Sequence, residues 1–508
     1  GGTSTDDFQF ADAGSVTGSI VGGGGTDTIT GDTDGNAFVV TGADTGTLAV
    51  KIGGTWTAEN LTGGAGTDTF QIDSGATLSG AIDGAAGGTD SITQIDGTNA
   101  WAINTAGAGT VTDVTGGFSE IEALNGGSGD DGFTFANAGS ITGAITGGGG
   151  TDTITGDADG NAFGITGGDI GTLTGKTSGW SDIDNLTGGA GLDSFTFGAA
   201  GTLSGNIVGA GNAADLIDIS AVASADTINL QAGTIDNGIL GGTFATVESF
   251  TGEGVNDTLV GTDVATVWSI ATADDGTTDT GFIFTDIGNL TGGTSTDDFQ
   301  FADAGSVTGS IVGGGGTDTI TGDTDGNAFV VTGADTGTLA VKIGGTWTAE
   351  NLTGGAGLDS FTFGAAGTLS GNIVGAGNAA DLIDISAVAS ADTINLQAGT
   401  IDNGILGGTF ATVESFTGEG VNDTLVGTDV ATVWSIATAD DGTTDTGFIF
   451  TDIGNLTGGT STDDFQFADA CSVTGSIVGG GGTDTITGDT DGNAFVVTGA
   501  DTGTLAVK

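Results

Sequence analysis

The sequence predicts an all-β fold: a parallel β-solenoid, or β-helix, of about 21 residues per coil, with roughly 24 coils stacked along 508 residues. Three observations predict it. Gly makes up 106 residues while Pro is absent. Glycine corners, mostly "GG" or a variant, begin at 1, 22, 63, 126, 147, 188, 209, 252, 292, 313, 354, 375, 418, 458 and 479. Between corners, large apolar residues alternate with polar ones, as half-buried strands require.

Each unit reads as strand, turn, strand, corner. In "TDTFQIDSGATLSGAIDGAAGG", Phe70 and Ile72 alternate with polar neighbours, "DSGA" is a turn, and Leu78 with Ile82 marks a second strand. Corner spacings of 40 to 43 read as two coils of about 21. One such unit cannot bury its own apolar face, whereas stacked units bury a continuous one. Helix is disfavoured by the glycines and by the Thr, Val and Ile runs. Such a stack would make a rod on the order of 115 Å long.

The chain reads as one continuous array, 1–508. Residues 188–342 and 354–508 are identical except that Gly305 becomes Cys471, and residues 1–66 repeat 292–357. "NLTGG" recurs with Asn60, Asn185, Asn289, Asn351 and Asn455, which can form a ladder of stacked amides. The same residues make N-x-T glycosylation patterns.

The corner "GGAGTDTFQ" fits the calcium-binding nonapeptide G-G-x-G-x-D-x-U-x. The sixth corner position is Asp at Asp6, Asp27, Asp68, Asp131, Asp152, Asp193, Asp257, Asp297, Asp318, Asp359, Asp423, Asp463 and Asp484. Asp90 occupies a shortened corner, and the corners at Gly209 and Gly375 carry their Asp one place later. Calcium takes six to eight oxygens, and glycines let carbonyls turn inward, so these aspartates are candidate calcium ligands. Stacked carboxylates would repel by about 1–3 kcal/mol, a cost that a bridging cation would reverse. The alternative is that each Asp caps its turn through backbone N–H groups, with no metal. "GDTDGNAF", with Asp32 and Asp34, reads as an acidic turn, because its Gly comes too early for an EF-hand loop.

"NLTGGAGLDSFTF", "LSGNIVGAGNAADLIDISAV", "TINLQAGTI", "FATVESFTGEGVNDTLVGTD" and "VWSIATADDGT" together resemble the very large repetitive surface proteins of Gram-negative bacteria. These are the β-strand-repeat or haemolysin-type calcium-repeat adhesins. The resemblance implies export to the bacterial cell surface, a role in adhesion, coating or fibre formation, and calcium as a partner. The nonapeptide occurs here at most once per coil, not in direct tandem.

Charge narrows the partners further. With 65 acids against 4 Lys and Arg, the formal net charge is −61. That excludes nucleic acid, and no apolar run is long enough for membrane insertion. An enzyme is not expected, since there is no His and almost every feature is repeated. The reading is an extracellular structural protein, an acidic surface fibre, filament or adhesin shaft that self-associates end to end. The alternatives are an ice-binding threonine surface or a carbohydrate-binding one. For the latter, Trp56, Trp101, Trp180, Trp268, Trp347 and Trp434 would be stacking platforms, against a core-packing role. Lys51, Lys342 and Lys508 are copies of one repeat position, with Lys176 related. Cys471, the sole cysteine, could cross-link two chains.

Overall fold

The computed structural model describes residues 1–211, 214–377 and 380–506, and among them every regular element is a β-strand. Lys508 lies outside the described residues. The chain divides into two compact units, Gly1–Glu253 and Gly254–Lys508. Each is built from long, mostly parallel sheets, an arrangement consistent with a β-solenoid.

In the first unit, successive strands alternate between two sheets. Thr28–Thr30, Asn60–Thr62 and Ile82–Asp83 stack in one, and Thr69–Ile72, Ser91–Gln94 and Ala123–Gly127 in the other. Each strand turns one apolar side chain inward at every second residue. Ile29, Leu61 and Ile82 form one fully buried ladder, and Phe70, Ile92 and Leu124 belong to another. Stacked positions are separated by 21 or 22 residues in plain steps and by 32 in others.

The longer steps depart from the sequence expectation. The wide corner intervals do not hold two plain parallel coils. They hold an antiparallel meander folded into one sheet. Ala37–Gly42 pairs antiparallel with Thr45–Leu48, which pairs antiparallel with Trp56–Thr57. Trp56–Thr57 then stacks parallel on Ile20–Val21, and Ala37–Gly42 on Thr69–Ile72. The next meander, Ala100–Thr105, Ala108–Val111 and Val114–Ser119, enters the opposite sheet, and a third, Ala162–Gly167, Ile170–Leu173 and Thr177–Ser181, returns to the first. The uniform stack of 24 parallel coils is therefore replaced by plain steps interleaved with meanders.

The second unit uses the same parts. Ala328–Gly333, Thr336–Leu339 and Trp347–Thr348 form a meander equivalent to the first. Ser415–Val426 and Ile449–Thr457 pair in separate runs, through Phe416 opposite Phe450 and Leu425 opposite Leu456. Tight hairpins need a residue at positive φ, and Asp supplies it: Asp44 (48°), Asp169 (54°), Asp335 (50°) and Asp440 (62°).

The tryptophans settle into these meanders. All six are buried, 2 % exposed or less, so none is a carbohydrate platform. Trp101, Trp268 and Trp434 stack on Phe133, Phe299 and Phe465 with ring centroids 5.6, 5.4 and 5.4 Å apart. Phe38, Phe163 and Phe329 stack in the same way on Phe70, Phe195 and Phe361, 5.0 to 5.1 Å apart. Cys471 is buried as well, its thiol donating to the Ala468 carbonyl at 2.9 Å, which withdraws it from cross-linking in the folded state.

Candidate functional site

The corner aspartates come together as hydrogen-bonded ladders. A backbone N–H at a tight corner points along the stack with no strand partner and must still be satisfied. The carboxylate one step away supplies the acceptor. Asn36 N–H donates to Asp68 Oδ1 at 2.6 Å, Asp68 N–H to Asp90 Oδ1 at 2.7 Å, and Asp90 N–H to Glu122 Oε2 at 2.7 Å. The next ladder runs Asn99, Asp131, Asp152, Asp184, at 2.8, 2.8 and 2.7 Å. A third runs Asn161, Asp193, Asp215, Glu248, at 2.7, 2.8 and 3.1 Å.

The second unit repeats the pattern. Thr266, Asp297, Asp318 and Glu350 are linked at 3.1, 2.8 and 2.6 Å. Asn327, Asp359, Asp381 and Glu414 are linked at 2.7, 2.8 and 3.1 Å. Shorter ladders join Asp6, Asp27 and Glu59, then Asp392 and Asp423, and finally Thr432, Asp463 and Asp484. Asp257 is fully buried, and its carbonyl accepts from Asn289 Nδ2 at 3.2 Å. Asp6 and Asp484 are only half-buried, whereas the other sequence-predicted corner aspartates are 2 % exposed or less.

Asp6, Asp423 and Asp484, which end the shorter ladders, were among the sequence-predicted aspartates. The other ladder ends were missed: the heads Asn36, Asn99, Asn161, Asn327, Thr266, Thr432 and the buried Asp392, and the feet Asp184 and the glutamates. Those residues stand 31 to 33 residues from the aspartate they meet, a distance set by the meander and not by the 21-residue period. "DGNAF" and "AEN" are the signals that could have found them.

The motif's first glycine now has a steric reason. A Cβ on Gly63, Gly188 or Gly354 would lie 2.3 to 2.4 Å from Oδ2 of Asp68, Asp193 or Asp359. In some corners this oxygen takes the next N–H of its own turn, from Gly189, Gly293 or Gly459 at 2.7 to 2.9 Å. In Asp27, Asp68, Asp90, Asp131, Asp152, Asp215, Asp359 and Asp381 it is buried without a hydrogen-bond partner.

Calcium, which takes six to eight oxygens, was the sequence expectation for these carboxylates. Each step contributes one carboxylate, and Oδ1 is already committed to an N–H. Among the described residues no three acidic, His or Cys side chains group around a common point.

Burial raises the carboxyl pKa along the ladders, because a charged group loses its hydration there. Asp90, Asp152 and Asp318 are pushed up to about 6, by burial first and then by the acids on either side, against the pull of the N–H each accepts. Burial also raises Asp68, Asp131, Asp215, Asp297, Asp359, Asp381, Asp423 and Asp463. Asp12 and Asp303, exposed at turns, are lowered instead, chiefly by the hydroxyls of Thr33 and Thr324.

The "GDTDGNAF" turns are closed by lysine. Lys51, Lys176 and Lys342 each pair with a buried carboxylate, of Asp32, Asp157 and Asp323. Each also donates to carbonyls of an earlier turn, such as those of Asp12, Asn137 and Asp303 at 2.8 to 2.9 Å. The "NLTGG" asparagines make side-chain-to-backbone bonds in place of the expected amide-on-amide stack; amide meets amide at Asn185 and Asn351, whose Oδ1 accepts from Nδ2 of Asn206 and Asn372 at 3.2 Å. Oδ1 of Asn60, Asn185, Asn289, Asn351 and Asn455 accepts the N–H 21 residues on, at 2.8 to 3.0 Å. Nδ2 of Asn289 and Asn455 donates to two carbonyls each, so the nitrogen that glycosylation would need is engaged.

No protein-family model matches the chain, and a search of curated proteins finds no significant match.

Proposed function

We propose that this chain is structural material of an extracellular bacterial surface fibre or adhesin shaft, a β-solenoid with a plain coil of about 21 residues. The observation that supports it is the repetition of one locking device: the five four-membered ladders each run from an Asn or Thr head through two buried aspartates to an acidic foot. A binding or catalytic centre breaks a repeat, whereas a scaffold multiplies it. The extracellular setting rests on the resemblance of the "NLTGG" and "FATVESFTGEG" blocks to surface adhesins. Self-association of copies belongs to the same reading. Sedimentation velocity across a concentration series tests it: a fibre segment sediments with a high frictional ratio and associates as concentration rises. A compact, concentration-independent particle would sink the proposal.

Two further outcomes follow. Hydrogen bonds and apolar ladders, not calcium, hold the stack in this reading. Thermal unfolding followed by circular dichroism should therefore give the same midpoint in EDTA and in millimolar calcium, with magnesium as control. A rise specific to calcium would show that metal clips the corners. The native chain should also resist trypsin. It has 4 Lys and Arg in all, and the side chains of Lys51, Lys176 and Lys342 are only 12 to 13 % exposed and ion-paired. Rapid cleavage after any of these three would contradict the buried pairs.

A further inference from the structure

We infer that the buried pairs Lys51–Asp32, Lys176–Asp157 and Lys342–Asp323 are sites of an intramolecular isopeptide bond, in which the aspartate carboxyl acylates the lysine Nζ and one water is released. Three observations carry this. The first is contact out of solvent. Nζ of each lysine lies against Oδ2 of its aspartate, with the aspartate side chains 0 to 4 % exposed and the lysine side chains 12 to 13 %. Each Nζ is also held from the other side, by the carbonyl of Asp12, Asn137 or Asp303 at 2.8 to 2.9 Å. The fold thus replaces the encounter of amine and carboxyl with a fixed juxtaposition.

The second observation is where the chain spends its lysines. It has 4 Lys and Arg in 508 residues, and Lys51, Lys176 and Lys342 all stand in this one setting, 19 residues after their aspartate. A cation is not required to close a meander. Beside Ala100–Thr105 and Ala108–Val111 the buried Gln94 does so, its Nε2 donating to the Thr112 carbonyl at 2.8 Å. A neutral hydrogen bond therefore serves where the pair is absent.

The third is what the bond would enclose. The loop from Asp32 to Lys51 contains Ala37–Gly42 and Thr45–Leu48, the first two strands of a meander. Asp157 to Lys176 contains Ala162–Gly167 and Ile170–Leu173, and Asp323 to Lys342 contains Ala328–Gly333 and Thr336–Leu339. Each bond would clasp the inserted hairpin to the turn before it, and would persist when the hydrogen bonds open.

The chemistry balances within the pair. A proton passes from the Nζ ammonium to Oδ2, and the lone pair it leaves faces the same carboxyl. Nitrogen attacks Cγ, the N–Cγ bond forms, and the Cγ–Oδ2 bond breaks. Oδ2 departs as water, carrying the transferred proton and a second from nitrogen. No group is oxidised or reduced. Burial favours the product, because an ion pair loses the hydration of two charges whereas the amide carries none. The bond lies within one chain, so it stands independently of fibre formation.

The test is mass spectrometry of the full chain, folded and held until its mass is constant, then denatured. Free amines are tagged by reductive methylation before digestion at acidic residues. Lys51, Lys176 and Lys342 should escape the tag and appear in branched peptides, each lighter than its two arms by one water. Tagged, linear peptides at these lysines overturn the inference. So does a loss of water with the lysine tagged, which marks a succinimide at the aspartate. In the variant Asp323→Ala, Lys342 should become tagged while Lys51 and Lys176 stay branched. A branch from Lys342 to another acid in that variant would show that the juxtaposition with Asp323 does not direct the bond, and is equally fatal. Wild type alone decides the main point, so the outcome survives a variant that fails to fold.

Discussion

Trp347→Ala is expected to destabilise the second unit by about 3–5 kcal/mol, with the damage confined to the adjoining strands. Trp347 is fully buried at the last strand of a meander, parallel to Ile311 and antiparallel to Gly337. A Cβ on Gly337 would lie 2.4 Å from the indole Cζ2, so the glycine is the slot into which the ring fits. Alanine would leave that slot empty, and backbone held on both sides by ladder hydrogen bonds cannot collapse into it. Because stacked units touch mainly their neighbours, amide exchange should accelerate in Ala328–Gly333, Thr336–Leu339 and Ile311–Val312. It should hold steady around Trp434. Trp56→Ala removes the equivalent residue from the identical sequence in the first unit and should cost the same. A loss below 1 kcal/mol in urea melts, or uniform loss of exchange protection, would refute the slot-and-neighbour account.

Strand placement was legible in the sequence because alternation is a local property: Phe70 and Ile72 point inward for reasons their immediate neighbours state. The corner was legible too, since Gly63 and Asp68 lie in one short motif, and the capping alternative weighed for it is the one whose hydrogen bonds are present. The meanders were hidden by a numerical coincidence. A plain step plus an inserted hairpin spans nearly two 21-residue periods, and the inserted strands, with Val40 and Leu48 buried, repeat the apolar alternation of an ordinary coil. The distinguishing cue is the turn "GADTG", where Asp44 adopts positive φ to reverse the chain within two residues.

The ladder ends were illegible for a related reason. Asn36 meets Asp68 across 32 residues only because a meander lies between them, so their pairing is invisible until the meander is placed. The buried state of the aspartates was also out of reach. Asp in a glycine-rich run reads as an exposed turn residue. Here the missing glycine side chains are what let the carboxylates sink beneath the surface.

That last point leads to the second large effect. Gly354→Ala is expected to cost roughly 2–5 kcal/mol, combining overpacking with the loss of a buried hydrogen bond. The new Cβ would lie 2.3 Å from Asp359 Oδ2, 2.6 Å from its Cγ and 2.6 Å from the Gly375 carbonyl oxygen. If Asp359 swings away, Asn327 N–H and Nδ2, now 2.7 and 3.1 Å from Oδ1, lose their acceptor. If the backbone moves instead, the bond from Gly354 N–H to the Val374 carbonyl, 2.8 Å, is broken. Gly75→Ala is the matched control. It stands at φ +70° with no heavy atom within 4 Å of the added Cβ, so it carries only the left-handed backbone cost of about 1–2 kcal/mol. A double variant, Gly354→Ala with Asp359→Ala, separates the terms: with the carboxylate gone, the alanine should cost at least 1 kcal/mol less than it does alone. Were Gly354→Ala no worse than Gly75→Ala, the first glycine of the motif would not be making room for the carboxylate. The corner would then need another explanation for its G-G-x-G-x-D spacing, with calcium the first to re-examine.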